Sequence, residues 1–144
     1  MPLGHLALGV SAPGPGRLVR VAIKRTVVDA LGFKEHYRVV ILDGADLGKA
    51  VPAGITGMML NCGQTCTALT RMIVPRDQQD EVVDLAVGAL ASLSMGDPLS
   101  DDNFLGPLVS ASQKSTVQDY IRTGIDEGAR LVAGGPDDPE GFDT

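Results

Sequence analysis

Residues 69–94 hold two unlike hydrophobic patterns that meet at a proline, and few chain architectures accommodate both. Residues 69–74 are apolar almost without interruption, broken by Arg71, and Pro75 stops the run. A short apolar run of this kind suits a buried strand. Beyond it, Val82, Val83, Leu85, Ala86, Ala89, Leu90 and Leu93 recur at helical steps. Asp77, Asp80, Glu81 and Asp84 fall early in that stretch, where a helix dipole favours negative charge. Gly96-Asp97-Pro98 ends the segment.

The same alternation runs through the chain. Residues 37–42 are rich in β-branched side chains and finish at Asp43-Gly44, which reads as a strand and its turn. Asp46 is placed to cap a helix from near Leu47 to about Leu60. Pro52, Gly54 and Gly57 weaken that helix, so tertiary packing must hold it. Residues 112–128 have a second amphipathic pattern, and residues 129–133 make a short strand before Gly134-Gly135-Pro136. Residues 17–28 fit either a short helix and strand or one ambiguous segment. Leu3, Leu6, Leu8 and Val10 alternate as a strand or as an exposed apolar tail, and Pro13-Gly14-Pro15-Gly16 is a loop. Acidic residues 137–144 read as a frayed tail. Strand, helix, strand, helix, loop, helix, strand predicts an α/β fold, with an open, mostly parallel sheet covered by helices.

The chain has 144 residues, enough for one core, and with no Trp, two Tyr and three Phe that core rests on Val, Leu, Ile and Ala. A net charge of −6 disfavours a nucleic-acid partner. No apolar run reaches the roughly 20 residues of a membrane span, so no membrane partner is expected. No basic region precedes the first apolar stretch, so no signal peptide is read and the cytoplasm is the expected compartment. The two cysteines, Cys62 and Cys66, do not make a disulfide framework. Only His5 and His36 are available to join them, both distant in sequence, and no metal site is expected.

Residues 61–68 read Asn-Cys-Gly-Gln-Thr-Cys-Thr-Ala. They lie between the apolar run 55–60 and the strand-like run 69–74, which sets Cys66 at a helix-to-strand turn with small polar neighbours. Asn61, Gly63, Gln64, Cys66, Ala68 and Arg71 together resemble the nucleophile loop of the NAD(P)-dependent aldehyde dehydrogenase superfamily. The resemblance continues upstream in Val40-Ile41-Leu42-Asp43-Gly44-Ala45-Asp46-Leu47. Downstream it includes Gly96-Asp97-Pro98-Leu99, Leu105-Gly106-Pro107-Leu108-Val109-Ser110, and Glu127-Gly128-Ala129-Arg130-Leu131 with Gly134-Gly135. From about Val40 to Gly135 the frame holds nearly without gaps, and several motifs in order make it specific.

Upstream the likeness degrades. Ala30-Leu31-Gly32-Phe33-Lys34 occupies the place of the family's Glu-Leu-Gly-Gly-Lys, so Ala30 stands where the resemblance puts the general base. Residues 10–17, including Gly14, resemble a shortened cofactor-phosphate turn, in which Pro15 removes an amide donor. The resemblance thus implies a degraded remnant of the cofactor-binding domain and linker over residues 1–30. Residues 31–136 would be a partial catalytic domain, followed by the tail 137–144.

It also implies oxidation of an aldehyde to a carboxylic acid with NAD or NADP. Cys66 would attack the carbonyl, amide donors would hold the oxyanion, and hydride loss would leave a thioester for base-activated water. Asn61, Gly63, Gln64 and Thr65 would support the loop, Cys62 would pack in the core, and Gly14, Leu31 and Gly32 would contact cofactor. The implied partners are a small aldehyde and either further copies of the chain or a complementary one. The alternative is a non-catalytic relic or interaction module, favoured by Ala30 and the shortened turn. A free cysteine is, in general, more often a small buried residue than a nucleophile.

Overall fold

The computed structural model describes residues 7–10, 18–23 and 38–139. Its elements in chain order begin with strands β1 (Ala7–Val10), β2 (Leu18–Ile23) and β3 (Arg38–Val40), then helix α1 (Leu47–Met59). A tight turn, Leu60–Gly63, leads to strand β4 (Arg71–Pro75). Helix α2 (Gln79–Ala91) and helix α3 (Ala111–Asp126) follow, and strand β5 (Arg130–Gly134) comes last.

The strands form one sheet in the order β3-β4-β2-β1-β5. The β3–β4 pair is parallel, with Val39 opposite Met72, as the α1 crossover between them requires. The mostly parallel sheet expected from the alternation is limited to that pair, because β2 runs antiparallel to both β4 and β1, and β1 antiparallel to β5. The physical reason lies in the connections. A parallel neighbour needs a crossover of about a dozen residues or more, and β1 and β2 are joined by residues 11–17 alone. β1 and β2 fall in the stretch expected to be a remnant of a separate domain, yet both are inner strands of this sheet.

Helix α1 exists because of what it covers. Val51 and Ile55 are fully buried, and Met58 and Met59 nearly so, on a core shared with Ile41, Met72, Val74, Val82 and Ala86. Gly54 permits the close approach to the sheet: a Cβ there would come within 2.6 Å of Met72 Cε. The cost of Gly54 and Pro52 in a helix interior, roughly 1 and 3 kcal/mol, is offset by burying several aliphatic side chains at about 1.5–3 kcal/mol each. Asp46 takes the N-cap position, but its carboxylate does not bond the first-turn amides. It meets Lys49 Nζ at 3.1 Å instead, correcting the expected side-chain cap.

Helix α2 packs on the α1 core through Val82 and Ala86, with Asp80 and Glu81 in its exposed first turn. Residues 94–105 then close on themselves. Leu105 N–H donates to the Ser94 carbonyl at 2.9 Å, Gly96 N–H to the Leu105 carbonyl at 3.0 Å, and Ser94 Oγ to the Asp102 carbonyl at 2.6 Å. Ser110 caps α3 by accepting Gln113 N–H at 3.2 Å. Gly128, at φ 90°, ends that helix and turns the chain into β5. Near the acidic end, Asp138 pairs with Lys114 Nζ at 2.7 Å.

Candidate functional site

Where α1 stops, the backbone enters an unusual conformation. Asn61 and Cys62 adopt φ of 50° and 58°, and Gly63 follows at 72°. Glycine visits this left-handed region freely and asparagine tolerates it, whereas cysteine rarely does. The sequence meets the requirement at Asn61 and Gly63 and violates it at Cys62.

The next residues close a second turn. Thr65 Oγ1 donates to the Leu60 carbonyl at 3.2 Å, and Ala68 N–H donates to the Thr65 carbonyl at 2.9 Å. Cys66 lies between these bonds and is exposed, while Ala68 and Thr70 beyond it are buried as the chain enters β4. The turn thus leaves Cys66 exposed between two hydrogen bonds that fix its neighbours. Arg71, part of the motif, is half-buried in β4, with its Cα opposite those of Arg38 and Ala22.

Gln64 braces this turn from a distance. Its Oε1 accepts Val109 N–H at 2.9 Å, and its Nε2 reaches the Asn61 carbonyl at 3.4 Å and the Pro107 carbonyl at 3.5 Å. The 2.9 Å bond is the strong one, because the others lie at the limit of hydrogen-bond length. Cys62 is half-buried beside both apolar clusters, the second of which joins Leu108 to Val117 and Ile121 of α3. Its expected place against the core holds, but it does more than pack. Gly106 N–H donates to Cys62 Sγ at 3.1 Å, and Cys62 Sγ donates to the Gly106 carbonyl at 3.2 Å. Sequence reasoning read residues 105–110 only as part of the family resemblance and missed this contact. No pattern in one chain marks a pairing across 44 residues.

Asn61, Gly63, Gln64, Thr65 and Cys66 are therefore brought together in one bend, with residues 106–109 as its second wall. Gly14, Leu31 and Gly32, expected to touch cofactor, lie outside the described residues, as do Ala30, His5 and His36. Among the described residues no three His, Cys, Asp or Glu side chains gather in a metal-binding group. No helix among them is long and apolar enough to cross a membrane.

Gly63 gives a direct test of the bend. A Cβ there would sit 3.5 Å from the Met58 carbonyl oxygen, an ordinary contact, so space is not the obstacle. The positive φ is. Gly63→Ala is expected to lower unfolding free energy by about 1–2 kcal/mol, read as a lower urea midpoint at unchanged slope.

Residues 21–143 match the sequence profile of the aldehyde dehydrogenase family. A 3-succinoylsemialdehyde-pyridine dehydrogenase from a Pseudomonas species is 42% identical over 133 residues, 90% of this chain. The chain belongs to the aldehyde dehydrogenase family. It spans 27% of that relative's length. Among solved structures, an aldehyde dehydrogenase of Pseudomonas syringae with a cysteine replaced by alanine, in complex with NAD+ and octanal, superposes with a TM-score of 0.72 at 40% identity. The superposition covers 74% of this chain and 22% of that one. The aldehyde dehydrogenase of Mycobacterium tuberculosis, complexed with NAD+, gives a TM-score of 0.70 at 38% identity over the same shares of the two chains. The α/β class and the family resemblance drawn from the motifs agree with these relatives.

Proposed function

We propose that this chain carries the thiol nucleophile of an NAD(P)-dependent aldehyde dehydrogenase, with Cys66 as the attacking residue. The observation that carries the reading is the exposed Cys66 in a doubly fixed turn, within a chain of this family. Its sulfur can approach an aldehyde carbonyl from solvent, forming a carbon–sulfur bond while the carbonyl oxygen takes the negative charge. The Cys66 backbone amide is the donor assigned to that oxygen. NAD+, held by the structural relatives, would when bound supply the hydride acceptor for oxidation. Residues 1–30 as cofactor-side remnant and 31–136 as catalytic portion remain part of this proposal. So does a second chain meeting the exposed apolar side chains of Leu42, Leu60 and Val109.

The test is to supply an aldehyde and NAD+ and follow NADH absorbance for the parental chain and Cys66→Ala, with mass spectrometry for a covalent adduct. Thiol-dependent NADH or an adduct on Cys66 supports the reading. NADH formation that survives Cys66→Ala, or no product and no adduct in either protein, sinks it.

Ala30 at the base position favours a second, non-catalytic reading, and it predicts a specific defect. Losing a general base typically slows a step by about 10²–10⁴-fold, and here the step is thioester hydrolysis. With p-nitrophenyl acetate, the chain is expected to release one burst of p-nitrophenol and then stall as acetyl-thioester. Rapid multiple turnover would contradict this, and no burst would leave the non-catalytic reading.

A further inference from the structure

We infer that Cys62 and Gln64 are positioning residues that dock the Cys66 turn on residues 106–109, an inference that rests on Cys66 being the nucleophile. Each residue grips the same distant segment at a different point. Cys62 exchanges two hydrogen bonds with the Gly106 backbone at 3.1 and 3.2 Å, and Gln64 Oε1 takes Val109 N–H at 2.9 Å. Both grips lie just before Cys66 in sequence, so they set where the turn begins.

The strain at Cys62 supports the same conclusion. A non-glycine residue in the left-handed region persists only where its surroundings over-determine it, and the paired bonds to Gly106 provide that constraint. The docking platform is itself fixed. Residues 94–105 close through Ser94, and Ser110 caps α3 immediately after Val109. Leu108 adds an apolar anchor, being 4% exposed against Val117 and Ile121.

Releasing either grip leaves Cys66 exposed but moves its sulfur and amide relative to an incoming carbonyl. Acyl transfer is sensitive to such movement, since a displacement of about 1 Å can cost on the order of 100-fold. Simple alkylation demands only an accessible sulfur. The two reactions on one thiol therefore separate positioning from exposure.

The experiment uses the whole chain and its variants Cys62→Ala, Cys62→Ser, Gln64→Ala and Cys66→Ala. Acylation is measured as the p-nitrophenol burst from p-nitrophenyl acetate: the thiol sulfur bonds the acetyl carbon, the ester C–O bond breaks, and p-nitrophenolate and a proton leave. Alkylation is measured with iodoacetamide, and peptide mass spectrometry assigns each adduct to its cysteine. Cys62→Ala and Gln64→Ala are expected to lower the Cys66 acylation rate by about 10–100-fold, while iodoacetamide rates and helical circular dichroism stay within about twofold. Cys62→Ser, whose hydroxyl can both donate and accept at Gly106, is expected to restore most of the rate. If Cys62→Ala loses its fold, Gln64→Ala carries the same comparison. Parental acylation rates in folded Cys62→Ala and Gln64→Ala overturn the inference, as does a parallel loss of acylation and alkylation. A parental chain that alkylates at Cys66 but gives no Cys66-dependent burst overturns the nucleophile reading and this inference with it.

Discussion

Replacing Cys66 with alanine is expected to abolish covalent acyl transfer while leaving the fold intact. Removing a covalent nucleophile typically costs about a thousandfold or more, because no neighbouring group can form the bond in its place. Cys62, the other thiol among the described residues, is half-buried and engaged with Gly106. The stability change should stay within about 0.5 kcal/mol, since Cys66 is exposed and surface substitutions rarely do more. Urea denaturation and the p-nitrophenyl acetate burst measure the two quantities separately. Loss of the burst at an unchanged urea midpoint supports the nucleophile assignment. A burst retained in Cys66→Ala would place the reactive group elsewhere.

Ile55→Ala is expected to have the opposite profile. Ile55 is fully buried in the core it shares with Val51, Met58, Met72 and Val82, and its truncation removes volume from that core. Large-to-small changes at such sites cost about 2–5 kcal/mol, against a total stability of roughly 5–15 kcal/mol. At about 3 kcal/mol, the melting temperature of a chain this size should fall by roughly 10 °C. Leu99→Ala is the matched control: Leu99 is 91% exposed, so its truncation should shift stability by no more than about 0.5 kcal/mol. Thermal melts of the two variants decide the point, and equal shifts would mean that α1 does not lie on the core as described.

Much of this arrangement was legible in the residues. The apolar run before Pro75 became β4, and the helical spacing after it became α2. The pattern expected over residues 112–128 became α3, Ala111–Asp126. These elements could be read because their signals are local: period, proline stops and capping residues act within a few positions of one another. The turn holding Cys66 was legible for the same reason, as it lies between two apolar runs and among small polar neighbours.

The pairing of strands was not legible in that way. Whether β2 sits beside β4, and which way it runs, depends on how all the strands share their backbone hydrogen bonds, and apolar runs fit either direction. The role of Cys62 was hidden for a related reason: packing and hydrogen bonding at one half-buried thiol call for the same residue type. The amino-acid order by itself determined the helices, the strands β4 and β5 and which cysteine stands in a helix-to-strand turn, while residues 3–10 and 17–28, which became β1 and β2, admitted more than one reading. Tertiary structure decided what that turn leans on, because Gly106 and Val109 reach it only after α2 and the closed loop at residues 94–105 have brought the chain back.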